Sequence, residues 1–572
     1  MLSVQFSDSV GSFLSGDSSG ESKQETVYFP SPRGSVNKVL FLDCSAQGLV
    51  TFPLGLLQLD YLEELHLERN LIQAVPPEIG LLQKLQVLYL QENRLDRVCE
   101  ELRKLGRLRS LDLSNNPIAN GGRRPLLVVQ RLGELRELRL HSLGLTELPD
   151  GICKTLHNLE LLGLSGNSLA ALPAEIANLR CLREIYLRGN RLEALPTGLG
   201  DLPCLEIVDV GQNLLASLPE EACGSSWRKL FLACNGFSSF PGSLCQLGHL
   251  AILDVSYNGL TRLACPFHAL TSLVELGLSN NPLRAIPPQI CHLPLLQVLY
   301  LRNTQLTGLH PDFSTLRRMQ VLDLSQNQFA EFPTEVCSLI SLEQLSLDDN
   351  HLKEIPVSIQ ALSMLKCLGL TGNQFVSFPE AVCGLRSLER LYLGQDRGLK
   401  LTSVHESISQ LHCLRELYLE NNSIEHLPES IGDLLTLEIL DCHNNQLSAI
   451  PDALCCLNGL TELRLQENRL SWLPHGVTKL QALKVLLLRG NPLTDPPSDV
   501  CEQGLAAINQ HLQEKVHLLT KATQIQTWWR GVMVRRRLGP FKCLASSKKG
   551  KEKRNKKKKK PAGRAKKGPK KK

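Results

Sequence analysis

One pattern of apolar positions repeats through most of the chain. The frame L-x-x-L-x-L-x-x-N-x-L occurs in twenty copies between about Val39 and Leu493, and fifteen of the nineteen intervals between its Asn slots are 23 residues long. Because the L-x-L alternation has a period of two, it predicts a short strand in each copy, with Leu buried and the intervening residue exposed. A fixed period of roughly 20 to 50 residues predicts stacked units that share one core.

An Asn follows the predicted strand in most copies. Sixteen of the twenty slots hold Asn, and the exceptions are Gln47, Leu143, Thr304 and Asp396. A primary amide has two donor hydrogens and an acceptor oxygen, so it can satisfy backbone groups where the chain leaves the strand. In fifteen copies a Pro lies six residues after the slot and fixes φ there. Both residue types are therefore predicted to shape the repeat.

The frame and its period resemble those of leucine-rich repeat proteins, including intracellular scaffolds of the Ras-regulator kind. The resemblance implies an α/β fold, with a solenoid of about twenty 23-residue repeats over residues 37–500 and a parallel concave sheet. Each repeat is too small to bury a core alone, and every Leu buried against a neighbour contributes ~1.5–3 kcal/mol.

The residue between the two inward Leu positions of a strand is often Tyr or Asp. Aromatic residues ringed by charge are typical of interface hot spots, so we predict a protein-binding site on the concave face. A solvated sheet without a partner would also carry such residues, and both interpretations stay open. The candidate residues are Tyr89, Tyr186, Tyr300, Tyr392, Tyr418, Asp209, Asp254 and Asp323.

Two helical segments are predicted after the repeats. Apolar residues at 505, 508, 512, 516 and 519 indicate a helix in segment 501–523 that caps the last repeat. In segment 524–540, apolar residues have the i, i+3, i+4, i+7 spacing of a stripe that fits an apolar groove, and arginines offer cations to an acidic partner. A Gly in this helix costs roughly 1 kcal/mol relative to Ala, which indicates close approach by another chain. The candidate residues are Ile525, Gln526, Trp528, Trp529, Arg530, Gly531, Val532, Arg535 and Leu538.

Segment 524–540 resembles a complete IQ motif, whose defining positions are filled by Ile525, Gln526, Arg530, Gly531, Arg535 and Leu538. The resemblance implies calmodulin or a related EF-hand light chain as partner, commonly in its calcium-poor form. Repeats followed by one such motif resemble the leucine-rich repeat and IQ domain-containing proteins, and this kinship implies a link to cilia and the cytoskeleton. The alternative is that this segment packs on its own solenoid as the end of the capping helix.

The two ends of the chain differ in charge. Residues 1–36 are Ser-rich and acidic, with neither a basic start nor an apolar stretch, so they predict a disordered leader and not a signal peptide. From Lys542 to Lys572 there are seventeen Lys and Arg against Glu552, a net +16; because the whole chain is +6, the remainder is −10. Segment 541–572 is predicted to be a disordered lysine-rich tail. A solvated tail, a polyanion-binding tail (for tubulin tails, nucleic acid or anionic lipid) and a nuclear import signal all stay open.

Cysteine spacing favours a reducing compartment. Cys245, Cys291, Cys337 and Cys383 recur 46 residues apart, two repeats away from each other and beyond disulfide reach, so we expect free buried thiols. With no stretch apolar enough to cross a membrane, an intracellular, cytoplasmic protein is predicted. Adjacent Cys and His residues lack zinc-site spacing, and neither a metal nor a cofactor is predicted.

Two function classes remain. The sequence contains no glycine-rich phosphate loop, no G-x-S-x-G turn and no metalloprotease helix, so an enzyme is not predicted. The first hypothesis is a scaffold or adaptor that binds a protein on the concave face and calmodulin through the IQ motif. The alternative is a regulator of small GTPase or phosphatase signalling that acts through the concave face.

Overall fold

The computed structural model describes residues 39–118, 126–263, 267–395 and 399–536. Its contacts divide the chain into two units, 1–168 with 178–182, and 169–177 with 183–572. The first unit contains β1 Phe41–Asp43, β2 Glu64–His66, β3 Val87–Tyr89, β4 Ser110–Asp112, β5 Glu137–Arg139 and β6 Leu161–Gly163. The second contains β7 Glu184–Tyr186, β8 Ile207–Asp209, β9 Lys229–Phe231, β10 Ile252–Asp254, β11 Glu275–Gly277, β12 Val298–Tyr300, β13 Val321–Asp323, β14 Gln344–Ser346, β15 Cys367–Gly369, β16 Arg390–Tyr392, β17 Glu416–Tyr418, β18 Ile439–Asp441, β19 Glu462–Arg464 and β20 Val485–Leu487.

Within each unit every strand pairs in parallel with the next strand along the chain. The register is that of the repeat: Leu65 is opposite Leu88, and Leu88 is opposite Leu111. The middle residue of nearly every strand is buried, and these three Leu side chains have no exposed surface. The predicted α/β repeat fold, with parallel strands and inward Leu residues, is confirmed.

A short 3₁₀ helix follows most strands on the other side of the core. Pro commonly precedes it with φ near that of the helix, as at Pro76 (−73°), Pro333 (−70°) and Pro474 (−60°). The 3₁₀ helices are Leu54–Gln58, Pro77–Leu81, Glu100–Lys104, Val129–Arg131, Ala174–Asn178, Thr197–Leu199, Glu220–Ala222, Gly242–Gln246, Phe267–Ala269, Pro288–His292, Pro311–Thr315, Thr334–Ser338, Val357–Ala361, Glu380–Gly384, Glu406–Gln410, Glu429–Asp433, Asp452–Cys456 and His475–Lys479. One α-helix, α1 Asp150–Thr155, takes the place of a 3₁₀ helix.

The slot Asn residues form a hydrogen-bonded ladder, as their amide chemistry predicts. Asn327 Nδ2 donates to the carbonyl oxygens of Leu301 and Leu324 at 2.8 and 2.9 Å. Its Oδ1 accepts from the Leu306 N–H of the preceding repeat at 3.0 Å. Each such Asn ties two successive repeats together through buried backbone groups that would otherwise lack partners.

The chain continues after β20 into two helices, α2 Ser498–Glu502 and α3 Leu505–Arg536. The predicted boundary between a cap ending at 523 and a motif helix starting at 524 does not coincide with a helix end. Segment 505–536 contains no Pro, and Gly531 is its one Gly, so a single helix continues through both predicted segments. Leu538, the leader 1–36 and the tail 541–572 lie outside the described residues.

The cysteine prediction is corrected at one position. Cys291, Cys337 and Cys383 are buried free thiols, as expected. Cys245 is buried but disulfide-bonded, whereas Cys223 in the neighbouring repeat is free. The 46-residue spacing excludes pairing among the four predicted cysteines, but it places no limit on a partner elsewhere in the chain.

Candidate functional site

The eight predicted binding residues of the repeats occupy one position of the fold. Each is the third residue of its strand and is half-buried, so each contributes to what we call the strand face, formed by the first and third residues of the strands. Among the five tyrosines, Tyr392 and Tyr418 are brought into direct contact, with their rings stacked at 4.7 Å and 9°. Tyr89 instead contacts the ring of His66, at 4.7 Å and 43°.

Polar and charged groups surround the stacked Tyr392 and Tyr418. Tyr418 Oη donates a hydrogen bond to Glu416 Oε2 at 3.2 Å. Burial, reinforced by the charge of Glu416, raises the pKa of Tyr418, and burial together with nearby anionic groups raises the pKa of Tyr392 to about 12. Both phenols are therefore neutral at physiological pH, and they offer flat ring faces bordered by carboxylates.

The strand-face aspartates have a local structural role that the sequence analysis did not assign. In Asp209, Asp254 and Asp323, Oδ1 accepts a hydrogen bond from the backbone N–H two residues later, at 3.0, 2.9 and 2.9 Å. Such bonds stabilise the turn after the strand. Burial raises the pKa of Asp209, with a further contribution from Asp254. One carboxylate oxygen of each aspartate thus stabilises the turn, and the carboxylate still places negative charge on the strand face.

A second charged cluster joins β18 and β19. Asp441 is almost fully buried and accepts from Arg464 Nη1 at 3.2 Å, while His443 Nδ1 lies 2.7 Å from it. Arg464 Nε also donates to Glu462 at 2.6 Å. Asp441 and Arg464 are separated by one 23-residue period and are opposite each other in the strand register, which is the sequence signal for this pair.

The apolar stripe of the IQ-like segment is exposed on α3. We define the IQ stripe as Ile525, Trp528, Trp529 and Val532. Ile525 is 64% exposed, and the two Trp side chains are 62% and 54% exposed, with ring centroids 6.4 Å apart. A Cβ added at Gly531 would meet the Arg535 guanidinium at 3.4 Å. No side chain among the described residues 525–536 is buried. The alternative, that this segment packs on its own repeats, is therefore not supported.

The part of α3 that holds the helix to the repeats is its first three turns. Ile508 and Leu512 are buried, and α3 contacts the last 3₁₀ helix, His475–Lys479. Asp495 accepts from His511 Nε2 at 3.0 Å and also pairs with Lys515. The sequence analysis did not predict this anchor. Its sequence signal is that His511 and Lys515 lie one helical turn apart on a helix that follows Asp495.

The cap residues and the IQ stripe lie on different sides of α3. At 3.6 residues per turn, the direction of Ile508 and Leu512 and the direction of the IQ stripe differ by about 130° around the helix axis. A protein bound to the IQ stripe would therefore approach the side of the helix turned away from the cap contact. The geometry makes this binding compatible with an intact cap.

Two negative findings limit the chemistry of the described ranges. Within them, no group of three or more His, Cys, Asp or Glu side chains is arranged to hold a metal ion. None of the helices in that part of the chain is both long enough and apolar enough to cross a bilayer.

Comparison with known proteins identifies the repeats. The family described as "Leucine-rich repeat region" matches residues 311–417 and 397–503, and the family described as "Leucine rich repeat" matches 60–118, 133–192 and 271–329. The chain is a leucine-rich repeat protein. Among solved structures, the leucine-rich repeat ectodomain of the plant membrane receptor kinase GASSHO1/SCHENGEN3 from Arabidopsis thaliana, in complex with CASPARIAN STRIP INTEGRITY FACTOR 2, is 28% identical with a TM-score of 0.54. The likeness covers 77% of this leucine-rich repeat chain and 60% of that one.

Two curated relatives share the name "Leucine-rich repeat and IQ domain-containing protein 4". The protein from Mus musculus is 51% identical over 156 residues, which is 27% of this chain and 26% of the relative. The protein from Homo sapiens is 46% identical over 156 residues, which is 27% of both chains. The matched part of this leucine-rich repeat chain thus spans about a quarter of each relative, and the resemblance to leucine-rich repeat and IQ domain-containing proteins is confirmed.

Proposed function

We propose that this leucine-rich repeat protein is a non-enzymatic scaffold that joins two proteins. One partner binds the strand face, and calmodulin or a related EF-hand protein binds the IQ stripe of α3. The observation that carries the proposal is the IQ stripe, since Ile525, Trp528 and Trp529 are exposed and Val532 is half-buried on a helix that is anchored elsewhere. The name of the curated relatives supports the assignment of an IQ domain.

Physical chemistry favours an EF-hand partner for α3. An amphipathic helix with anchors at i, i+3, i+4 and i+7 fits an apolar groove, and methionine-rich grooves adapt to large aromatic side chains. Arg530, Arg535 and Arg536 are charged groups on the same helix, and Arg535 and Arg536 lie in its last turn. An acidic protein would be attracted to this end of the helix.

The strand face supplies the second proposed site. Its stacked Tyr392 and Tyr418 are large and rigid, and they lie among carboxylates, as interface anchors often do. The leucine-rich repeat ectodomain with the same fold is in complex with CASPARIAN STRIP INTEGRITY FACTOR 2, which shows that such an array can hold another molecule. A protein partner that covers this surface would make the chain an adaptor.

Calorimetric titration of the full chain with calmodulin, in EDTA and then in calcium, tests the proposal. We expect binding to the wild type in EDTA, and loss of about 2 kcal/mol or more of binding free energy in Ile525→Ala/Trp529→Ala, because interface anchors contribute that much. Leu518→Ala/Leu519→Ala is the matched control, since both residues are exposed apolar side chains of α3 outside the IQ stripe. Equal binding by wild type and the Ile525/Trp529 double variant, or no binding in either condition, would contradict the proposal.

A further inference from the structure

Four carboxylates lie on or just after four of five successive strands in the middle of the second unit. We define the acidic sheet face as Asp254 on β10, Glu275 on β11, Tyr300 on β12, Asp323 on β13 and Asp348 just after β14. All five side chains are half-buried, and they occupy successive strands of one parallel sheet. Adjacent strands are ~4.8 Å apart, so neighbouring carboxylates on this face lie within the range of unscreened repulsion.

Repulsion between neighbouring carboxylates contributes to the raised pKa values of Glu275 and Asp348 on this face. Burial raises the pKa of Glu275, and Asp254 raises it further while Lys229 opposes the change. Burial likewise raises the pKa of Asp348, with an added contribution from Asp323, and raises that of Tyr300, with contributions from Glu275 and Asp323. Arg302 lies beside this row but is exposed, and its Nε bonds to Gln326 at 3.2 Å. Several carboxylates thus repel one another across a surface that would be stabilised by added cations.

Two glycines make room for carboxylates of this face. At Gly277 a Cβ would lie 2.5 Å from Asp254 Oδ1, and at Gly369 a Cβ would lie 2.4 Å from Asp348 Oδ2. The carboxylates therefore lie flat over neighbouring glycines instead of projecting outward. Beyond them, on β16 and β17, the stacked Tyr392 and Tyr418 offer ring faces that attract ammonium and guanidinium groups.

The same chain carries a segment of matching charge. Residues 541–572 have a net charge of +16, with a run of five lysines from Lys556 to Lys560. An extended chain spans at most ~3.6 Å per residue, so the 36 residues after Arg536 reach up to about 130 Å. From β20 to β10 the sheet extends about 48 Å, and the free part of α3 adds about 32 Å, so the tail can reach the face.

We propose that the acidic sheet face is the docking surface of the chain's own lysine-rich tail, residues 541–572. The lysines neutralise Asp254, Glu275, Asp323 and Asp348, and the aliphatic stems pack along the sheet floor. Single exposed ion pairs contribute little, so the contact depends on several pairs formed together and weakens with salt. The docked tail covers part of the strand face and is withheld from other polyanions until a competitor displaces it.

Carbodiimide cross-linking of the full chain tests this proposal, because the reagent joins a lysine amine to a carboxylate only when the two are in contact. At low salt we expect cross-links from tail lysines to Asp254, Glu275, Asp323 and Asp348, and their loss at high salt. In Asp254→Lys/Asp323→Lys, the cross-links to Glu275 and Asp348 should also disappear. Asp254→Asn/Asp323→Asn, which removes the charge but keeps an oxygen that accepts the turn hydrogen bonds, should weaken them as well. Glu331→Lys/Glu354→Lys is the matched control, with the same charge change at two exposed residues after the slot Asn, and should keep all four cross-links.

Two further measurements distinguish the chain's own tail from other molecules that could bind the acidic sheet face. A mixture of isotope-labelled and unlabelled chains should give cross-links within single chains, and cross-links mainly between chains would overturn the assignment to the chain's own tail. Heparin should bind the Asp254→Lys/Asp323→Lys variant about threefold or more tightly than the charge-matched Glu331→Lys/Glu354→Lys variant, because only the first variant frees the tail for a polyanion. Equal heparin affinity for these two variants, or cross-links spread evenly over exposed acids such as Glu331 and Glu354, would also overturn it. None of these results depends on whether calmodulin binds α3.

Discussion

At the scale of single residues, the repeat depends on buried amide groups. Asn327 donates to three carbonyl oxygens and its Oδ1 accepts from Leu306 N, Thr304 N and Thr304 Oγ1. Replacing Asn327 by Leu leaves these buried groups without partners, and each such loss costs about 1–3 kcal/mol. We expect Asn327→Leu to lower the free energy of unfolding by at least that amount in chemical denaturation. Gln328→Leu, an exposed neighbour, is the control, and equal midpoints for both variants would contradict the ladder.

Burial also decides the reactivity of the thiols. Cys442 has no exposed surface, and burial, followed by the charges of Asp441 and Glu420, raises its pKa well above the ordinary value. A higher pKa leaves less of the nucleophilic thiolate, so Cys442 should resist alkylation at pH 8 until the chain is denatured. Exposed Cys413 should react in the native chain. Mass spectrometry of the alkylated peptides measures both, and rapid native labelling of Cys442 would show that its repeat opens.

Residue-level roles were predictable where one position recurs in every repeat. The slot Asn and its preceding Leu residues could be assigned from spacing alone, because Asn recurs at sixteen of twenty equivalent positions. The double role of Asp254 and Asp323 could not be assigned in this way, because an Asp on a strand gives no sequence signal for whether its oxygen bonds the turn or faces solvent. Glu275 and Asp348 were missed for a related reason, since they occupy other positions of the repeat than the aspartates that were considered.

At the scale of elements, α3 is a single helix whose first turns hold it to the repeats and whose IQ stripe is the proposed binding site. Burial would raise the pKa of Asp495, but hydrogen bonds from Lys515 and His511 outweigh it and hold the pKa below its ordinary value. A lowered carboxyl pKa stabilises the attached helix above the unfolded value of about 3.9, and this stabilisation is lost as pH falls through the lowered pKa. The sequence predicted two segments, a cap with apolar residues at 505–519 and an IQ-like motif from 524, but no Pro or Gly between them ends the helix.

We expect Asp495→Asn to loosen the first turns of α3 by up to about 1 kcal/mol, the usual upper value for exposed ion pairs. Hydrogen exchange of residues 505–515 should become faster at pH 7. The difference between variant and wild type should shrink toward pH 3, where the wild-type carboxylate is progressively protonated. Asp499→Asn, on neighbouring α2, is the control. A difference that stays constant between pH 7 and pH 3 would show that the ion pair does not hold the helix.

At the scale of the whole molecule, the sequence was sufficient for the fold and for the location of an exposed helix. The repeat frame predicted every strand, because regular stacking leaves one position for each Leu. Which of the candidate residues lie together in space was harder to predict from the sequence. Of five predicted tyrosines, Tyr392 and Tyr418 stack, because the 26-residue interval between Asp396 and Asn422 keeps them in register on adjacent strands. Which stretch of the strand face a partner covers depends on surface charge, and that is a property of the folded sheet.

We propose that α3 binds an EF-hand protein on one side while its other side stays attached to the repeats. Hydrogen exchange of the full chain with and without calmodulin tests it most directly. We expect slower exchange across residues 525–536 in the complex, with unchanged exchange at 505–515 and in the repeat that contains β20. Faster exchange at 505–515 on binding, which would show that the partner pulls the helix from its cap, or unchanged exchange at 525–536, would contradict the account.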